Sequence, residues 1–157
     1  MPSFARLACL FVAASLMAGC VTTTMVSTNP QCEAESTNGS LLAGLKWNFR
    51  SKDWDHARKA RDWDLMVQTL YSSQEKPVVS LARMQQMANQ VQALDLASDM
   101  KGSMKAFGNV FAAQCELRVA GKKPHLLNDV TQGLLACPLQ TSGQKAINCI
   151  KGVLLAE

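Results

Sequence analysis

The sequence predicts an all-α protein: a compact bundle of five or six helices with two disulfides, after a flexible tether. Three observations carry this. Apolar residues recur at helical spacing through most of residues 40–157. Gly and Pro are confined to a few places, and no period-two alternation of β-branched residues persists. Four cysteines, Cys32, Cys115, Cys137 and Cys149, lie in or beside the helical part.

Each element has its own signal. Ser40 is suited to cap a short helix over 41–49, and Ser51 and Asp53 to start the next. In that second helix Trp63, Met66, Val67 and Leu70 fall on one apolar face, and Pro77 marks the loop that follows. Ser80 is placed to cap a third helix with a seam of Met84, Met87, Val91 and Leu94. Met100, Met104, Phe107, Phe111 and Cys115 continue an apolar face, with a break expected near Ser98-Asp99 and Gly102. Gly121 to Pro124 reads as a loop, followed by helices over 125–136 and 144–156.

The first twenty residues have a different character. Arg6 precedes an apolar run from Leu7 to Leu16, which ends in Met17-Ala18-Gly19-Cys20. A basic start, an apolar stretch and small residues at the cut describe a secretory signal. The run is short for a membrane-spanning helix, and Ala18-Gly19 also suits an ordinary secretory signal. Cys20 directly after Ala-Gly resembles the lipobox of bacterial lipoproteins, with Met17 where Leu, Val or Ile is usual. That resemblance implies cleavage before Cys20, a lipid on Cys20, and a location in the bacterial cell envelope. Val21 in place of Asp leans towards the outer membrane, facing the periplasm.

The implied organisation is a signal peptide over 1–19, the lipidated Cys20 and a tether to 39, and a helical domain over 40–157. Thr, Ser, Asn, Pro and Gly dominate 21–39, which reads as a spacer holding the domain off the membrane. Removing 19 of the 157 residues would leave 138, enough for one domain.

An even number of cysteines in an exported domain implies disulfides. Four cysteines allow three pairings. The favoured one joins Cys137 to Cys149 across the turn holding Pro138 and Gly143, and Cys32 to Cys115. A metal is not expected, because no Cys-x-x-Cys occurs and His56 and His125 lack ligand spacing to a cysteine.

Charge and motifs exclude several functions. The basic residues are scattered, with Arg58-Lys59 and Lys122-Lys123 the adjacent pairs, so no stripe suited to nucleic acid is present. The Asp-Trp-Asp triplets at 53–55 and 62–64 suggest a metal site, but on one helix Asp55 and Asp62 are roughly 10 Å apart along the axis. A charge-laced solvent face, with Asp55 reaching Lys59, Arg58 reaching Asp62 and Arg61 reaching Asp64, fits better. His125 with Cys115 or Asp129 makes a poor catalytic set, and no phosphate-binding glycine loop, nucleophile elbow or zinc-protease motif occurs. No catalytic residue, cofactor or small-molecule substrate is expected.

The expected function is therefore a lipid-anchored, non-enzymatic module that binds a protein of the envelope and helps assemble or localise a complex there. Its membrane contact is the lipid on Cys20. Trp47, Trp54 and Trp63 are the candidate partner-binding residues, since three large aromatics do not fit easily on one helix face and an exposed Trp marks contact sites. Met84, Met87, Met100 and Met104 read as core more readily than as an adaptable groove. The architecture, though no motif, resembles that of secretin pilotins, helical lipoproteins that dock a segment of an outer-membrane secretion channel. The alternative is an inhibitor or immunity protein against a periplasmic toxin or cell-wall hydrolase.

Overall fold

The computed structural model describes residues 26–50 and 56–156. Among them the elements are helical: α1 Pro30–Arg50, α2 His56–Ser72, α3 Leu81–Ala93, α4 Met100–Val119, a 3-10 turn Leu127–Val130, α5 Thr131–Leu135 and α6 Gln144–Leu155. Cys20 and the boundaries expected near residues 19 and 20 lie outside the described residues, as do Ser51, Asp53, Trp54 and Asp55.

α4 is the axis of the bundle. From Gly102 to Leu117 most of its side chains are buried, with Phe107 and Phe111 fully enclosed. α1 packs along it, α6 covers a second side, and α2 and α3 complete the core around Trp63, Val67, Met84, Met87 and Val91.

The expected tether is corrected from Pro30 onward. The helix begins there, not at Leu41, and Ser40 lies inside it. Asn29 caps this helix: its side-chain oxygen accepts from the N–H groups of Gln31 and Cys32 at 2.9 and 3.2 Å. Pro30 occupies the first helical position, where a missing N–H costs nothing. The Glu33 carboxylate accepts from the N–H groups of Val26 and Ser27, both at 2.8 Å, and folds the incoming chain onto the helix. The buried side of α1 runs through Cys32, Glu35, Ser36, Gly39, Leu42, Ala43, Lys46 and Phe49. That is helical spacing, but with polar and small residues where periodicity seeks apolar ones.

Those small residues set how closely α1 approaches α4. A Cβ on Gly39 would sit 2.3 Å from Phe111 Cδ2 and 3.2 Å from the Phe107 carbonyl oxygen. A Cβ on Gly108, facing it from α4, would meet Ser40 Oγ at 2.6 Å. Ser40 Oγ donates to the Met104 carbonyl at 2.7 Å, which turns the close approach into a polar contact.

Other boundaries follow local chemistry. Ser80 caps α3 and accepts from the Arg83 N–H at 3.2 Å. The α3 C-terminus is closed by Lys46 of α1, whose Nζ donates to the Val91 and Leu94 carbonyls at 2.8 and 2.6 Å and pairs with Asp95 at 3.1 Å. The expected break before α4 is present: Asp99 caps the new helix and accepts from the Gly102 N–H at 2.8 Å. α4 ends at Gly121, whose φ of 74° lets the Lys122 N–H return to the Leu117 carbonyl at 2.9 Å.

Both favoured disulfides are present, Cys32–Cys115 and Cys137–Cys149, with sequence separations of 83 and 12. The first joins the start of α1 to the last turns of α4. The second staples the 137–143 turn, which Asn109 also holds by donating to the Leu139 and Thr141 carbonyls at 2.7 and 3.0 Å. Loop entropy makes the longer bridge the larger contributor. Replacing Cys32 and Cys115 together by Ala is expected to lower unfolding stability by about 4.5 kcal/mol, against about 3 kcal/mol for the Cys137 and Cys149 pair. Denaturant titration of the two double variants measures this, and a larger loss from the short bridge would contradict it.

Candidate functional site

The two described tryptophans among those expected to bind a partner do not share an exposed surface. Trp63 is 3% exposed and belongs to the core, where its ring meets Phe49 edge-on at 6.2 Å. Its partner-binding role is therefore corrected to packing. Its indole Nε1 is buried without a hydrogen-bond partner among the described residues. Trp47 is half-buried near the end of α1 and has interactions of its own, and Trp54 lies outside the described residues. Met84 and Met87 are fully buried, Met104 is half-buried and Met100 is exposed, so the methionines form no groove.

Of the two acidic triplets, the one at 53–55 lies outside the described residues, and the one at 62–64 belongs to α2. Arg61 Nε lies 3.8 Å from Asp62, at i+1 rather than on the expected Asp64. Among the described residues no group of three or more His, Cys, Asp or Glu is placed to hold a metal. Cys115 is oxidised and the His125 side chain is exposed, its backbone N–H donating to the Leu154 carbonyl at 2.9 Å.

The site that sequence reasoning missed is a groove between α3 and the end of α4. It encloses about 450 Å³ and is walled by Arg83, Gln86 and Gln90 of α3, by Gln114 and Arg118 of α4, and by the chain from Lys122 to Leu126. Its organising group is Glu35 of α1. The Glu35 side chain is 2% exposed, yet it carries a carboxylate in contact with two guanidiniums. Arg83 Nε and Nη2 donate to Glu35 Oε2 at 3.2 and 2.9 Å. Arg118 Nη2 donates to Oε1 and Oε2 at 2.6 and 2.5 Å. Arg83 Nη2 also reaches Gln114 Oε1 at 3.3 Å, and Gln114 in turn donates to Gln90 Oε1 at 3.0 Å.

This arrangement leaves positive charge over. Arg83, Arg118, Lys122 and Lys123 line the groove, and among the described residues Glu35 is the one carboxylate engaged beneath them. Burial pulls the Arg83 guanidinium below its ordinary pKa, while the hydrogen bond and charge of Glu35 push it back up. An arginine stays protonated at neutral pH under such opposing effects. Arg83 is fixed further by Phe111, whose ring centroid lies 5.9 Å from the guanidinium carbon. Its side chain is 15% exposed and that of Arg118 39%, so Arg83 forms the floor and Arg118 the accessible edge. Pro124 and Leu126 supply an apolar side to the groove. A rigid cationic floor with amides beside it can hold an anionic group without reorganising.

The groove lies at the end of the bundle where the chain enters. Ser27 Oγ donates to Glu116 Oε1 of α4 at 2.8 Å, and Glu116 also pairs with Lys151 of α6. Trp47, twelve residues beyond Glu35, is roughly 18 Å away along the α1 axis.

Two substitutions separate core from site. Trp63→Ala is expected to cost about 3–5 kcal/mol in stability, as for a buried aromatic. An unchanged melt would return Trp63 to the surface. Glu35→Ala is expected to cost about 3–5 kcal/mol, because it leaves the Arg83 cation buried without its counter-charge. Glu35→Ala combined with Arg83→Met should recover part of that loss in a denaturant titration, and no recovery would contradict the pairing.

Family models, curated proteins and solved structures hold no match to this chain.

Proposed function

We propose that this protein is a lipid-anchored, non-enzymatic binding module of the bacterial envelope, which holds a protein partner and assists assembly or localisation of an envelope complex. The observation that carries the reading is the preorganised groove, with Arg83 and Arg118 fixed on one buried carboxylate. Such a cradle is built to hold a ligand in one orientation.

The disulfides are consistent with the proposed location. Both disulfides fit an oxidising compartment outside the cytoplasm. No described helix is long and apolar enough to cross a membrane, and in this reading the lipid on Cys20 attaches the protein. The Glu33 carboxylate holds Val26 and Ser27 against α1, and this changes the geometry of that attachment. Five residues lie between Cys20 and Val26, and a fully extended chain covers at most about 20 Å from one to the other. The domain then rides close to the bilayer, with the groove end towards it. A concave site favours this module over the inhibitor or immunity reading, in which a projecting polar plug enters the cleft of an enzyme.

The test has two arms. Cells fed a clickable palmitate should label the wild-type chain and leave Cys20→Ser unlabelled and soluble in the periplasm. A photo-crosslinking amino acid in place of Gln86, which is exposed at the groove, should capture one envelope protein. The same amino acid in place of Gln132, exposed elsewhere, should not. A labelled Cys20→Ser chain removes the anchor from the account. Equal capture at both positions, or none at Gln86, removes the binding site.

A further inference from the structure

The groove's lining narrows what it takes. We infer that it receives an extended acidic segment of the partner protein, with a carboxylate against Arg118 and the Lys122-Lys123 pair and a neighbouring apolar side chain against Leu126. This deepens the protein-binding reading above and rests on it.

Charge complementarity gives the first argument. Glu35 is already shared between two guanidiniums, and none of the residues lining the groove is acidic. Lys122 and Lys123 add two exposed cations at the same edge. A carboxylate entering there meets an excess of donors whose geometry is already set.

The remaining lining distinguishes a peptide from a bare anion. Leu126 is 71% exposed beside the half-buried Pro124, a large apolar surface that a phosphate would leave in water. Gln86 presents an amide with both donor and acceptor, matching the N–H and C=O of an extended chain, whereas a phosphate at neutral pH mostly accepts. A volume of about 450 Å³ takes several residues of such a segment. Because Ser27 is tied to Glu116, in the same turn of α4 as Arg118, and Cys20 lies a few residues before it, the segment comes from a part of the partner close to the membrane surface.

The full-length protein, exported and purified in detergent, provides the test by amide NMR. The probe is a synthetic peptide of alternating glutamate and leucine flanked by glycine. It should shift the signals of Gln86, Gln114 and Leu126, and its glutamine-for-glutamate analogue should bind at least about tenfold more weakly. Lys122→Glu with Lys123→Glu, both at exposed positions, should abolish the shifts and leave the melting temperature unchanged. Equal binding of the glutamine analogue overturns the inference. So do the same shifts from inorganic phosphate, or from vesicles containing phosphatidylglycerol, at no higher concentration. Capture of a protein through the Gln86 photo-crosslink without any peptide binding also overturns it, and leaves the protein-binding reading standing. Loss of that crosslink overturns both.

Discussion

Gly39 of α1 and Gly108 of α4 lie where their helices come so close that a side chain on either would enter its neighbour. That approach is the constraint on which the rest of the bundle depends. It brings the α1 backbone onto Phe107 and Phe111, the two largest fully buried side chains, and it sets Cys32 against Cys115 at one end. At the other end it carries Lys46 to the open carbonyls of α3. A glycine inside a helix loses about 1 kcal/mol relative to alanine. Here that loss is offset by contacts that only a bare backbone can make.

The same approach takes Glu35 out of water. A buried carboxylate is tolerated only when it is paired and hydrogen-bonded, and Arg83 and Arg118 arrive from two other helices to meet it. Because one anion holds two cations, the pairing that fixes α1, α3 and α4 together also leaves a net positive floor between α3 and α4. Stability and the proposed binding chemistry therefore share one set of residues. Glu35 faces the core, while Arg118, Lys122 and Lys123 face the groove.

The sequence disclosed those elements whose signals are local. Ser80, the Ser98-Asp99 break, Gly121 and the face of Trp63, Met66, Val67 and Leu70 were all legible, because caps, turns and apolar stripes act within a few residues. Both disulfides followed from the cysteine count and the position of one turn. A helix over 41–49 was legible, but the first half of α1 was hidden because its buried stripe holds Glu35, Ser36 and Gly39, which periodicity does not read as core. Asn29-Pro30, a capping residue followed by the favoured first-turn proline, was the signal that could have found it. The groove was illegible for another reason. Glu35, Arg83 and Arg118 are spread over more than eighty residues, and nothing local marks them as partners. Trp63 shows the converse: a conspicuous residue whose only visible role is packing.

α1 is a core helix bound to α4, not a spacer. Peptide mapping of the unreduced protein tests that most directly. Two cross-linked species are expected, one joining the peptides of Cys32 and Cys115 and the other those of Cys137 and Cys149. Cys32 joined to Cys137 or Cys149, or recovered as a free thiol, would place the start of α1 away from the end of α4. Such a result would remove both the buried Glu35 and the groove above it.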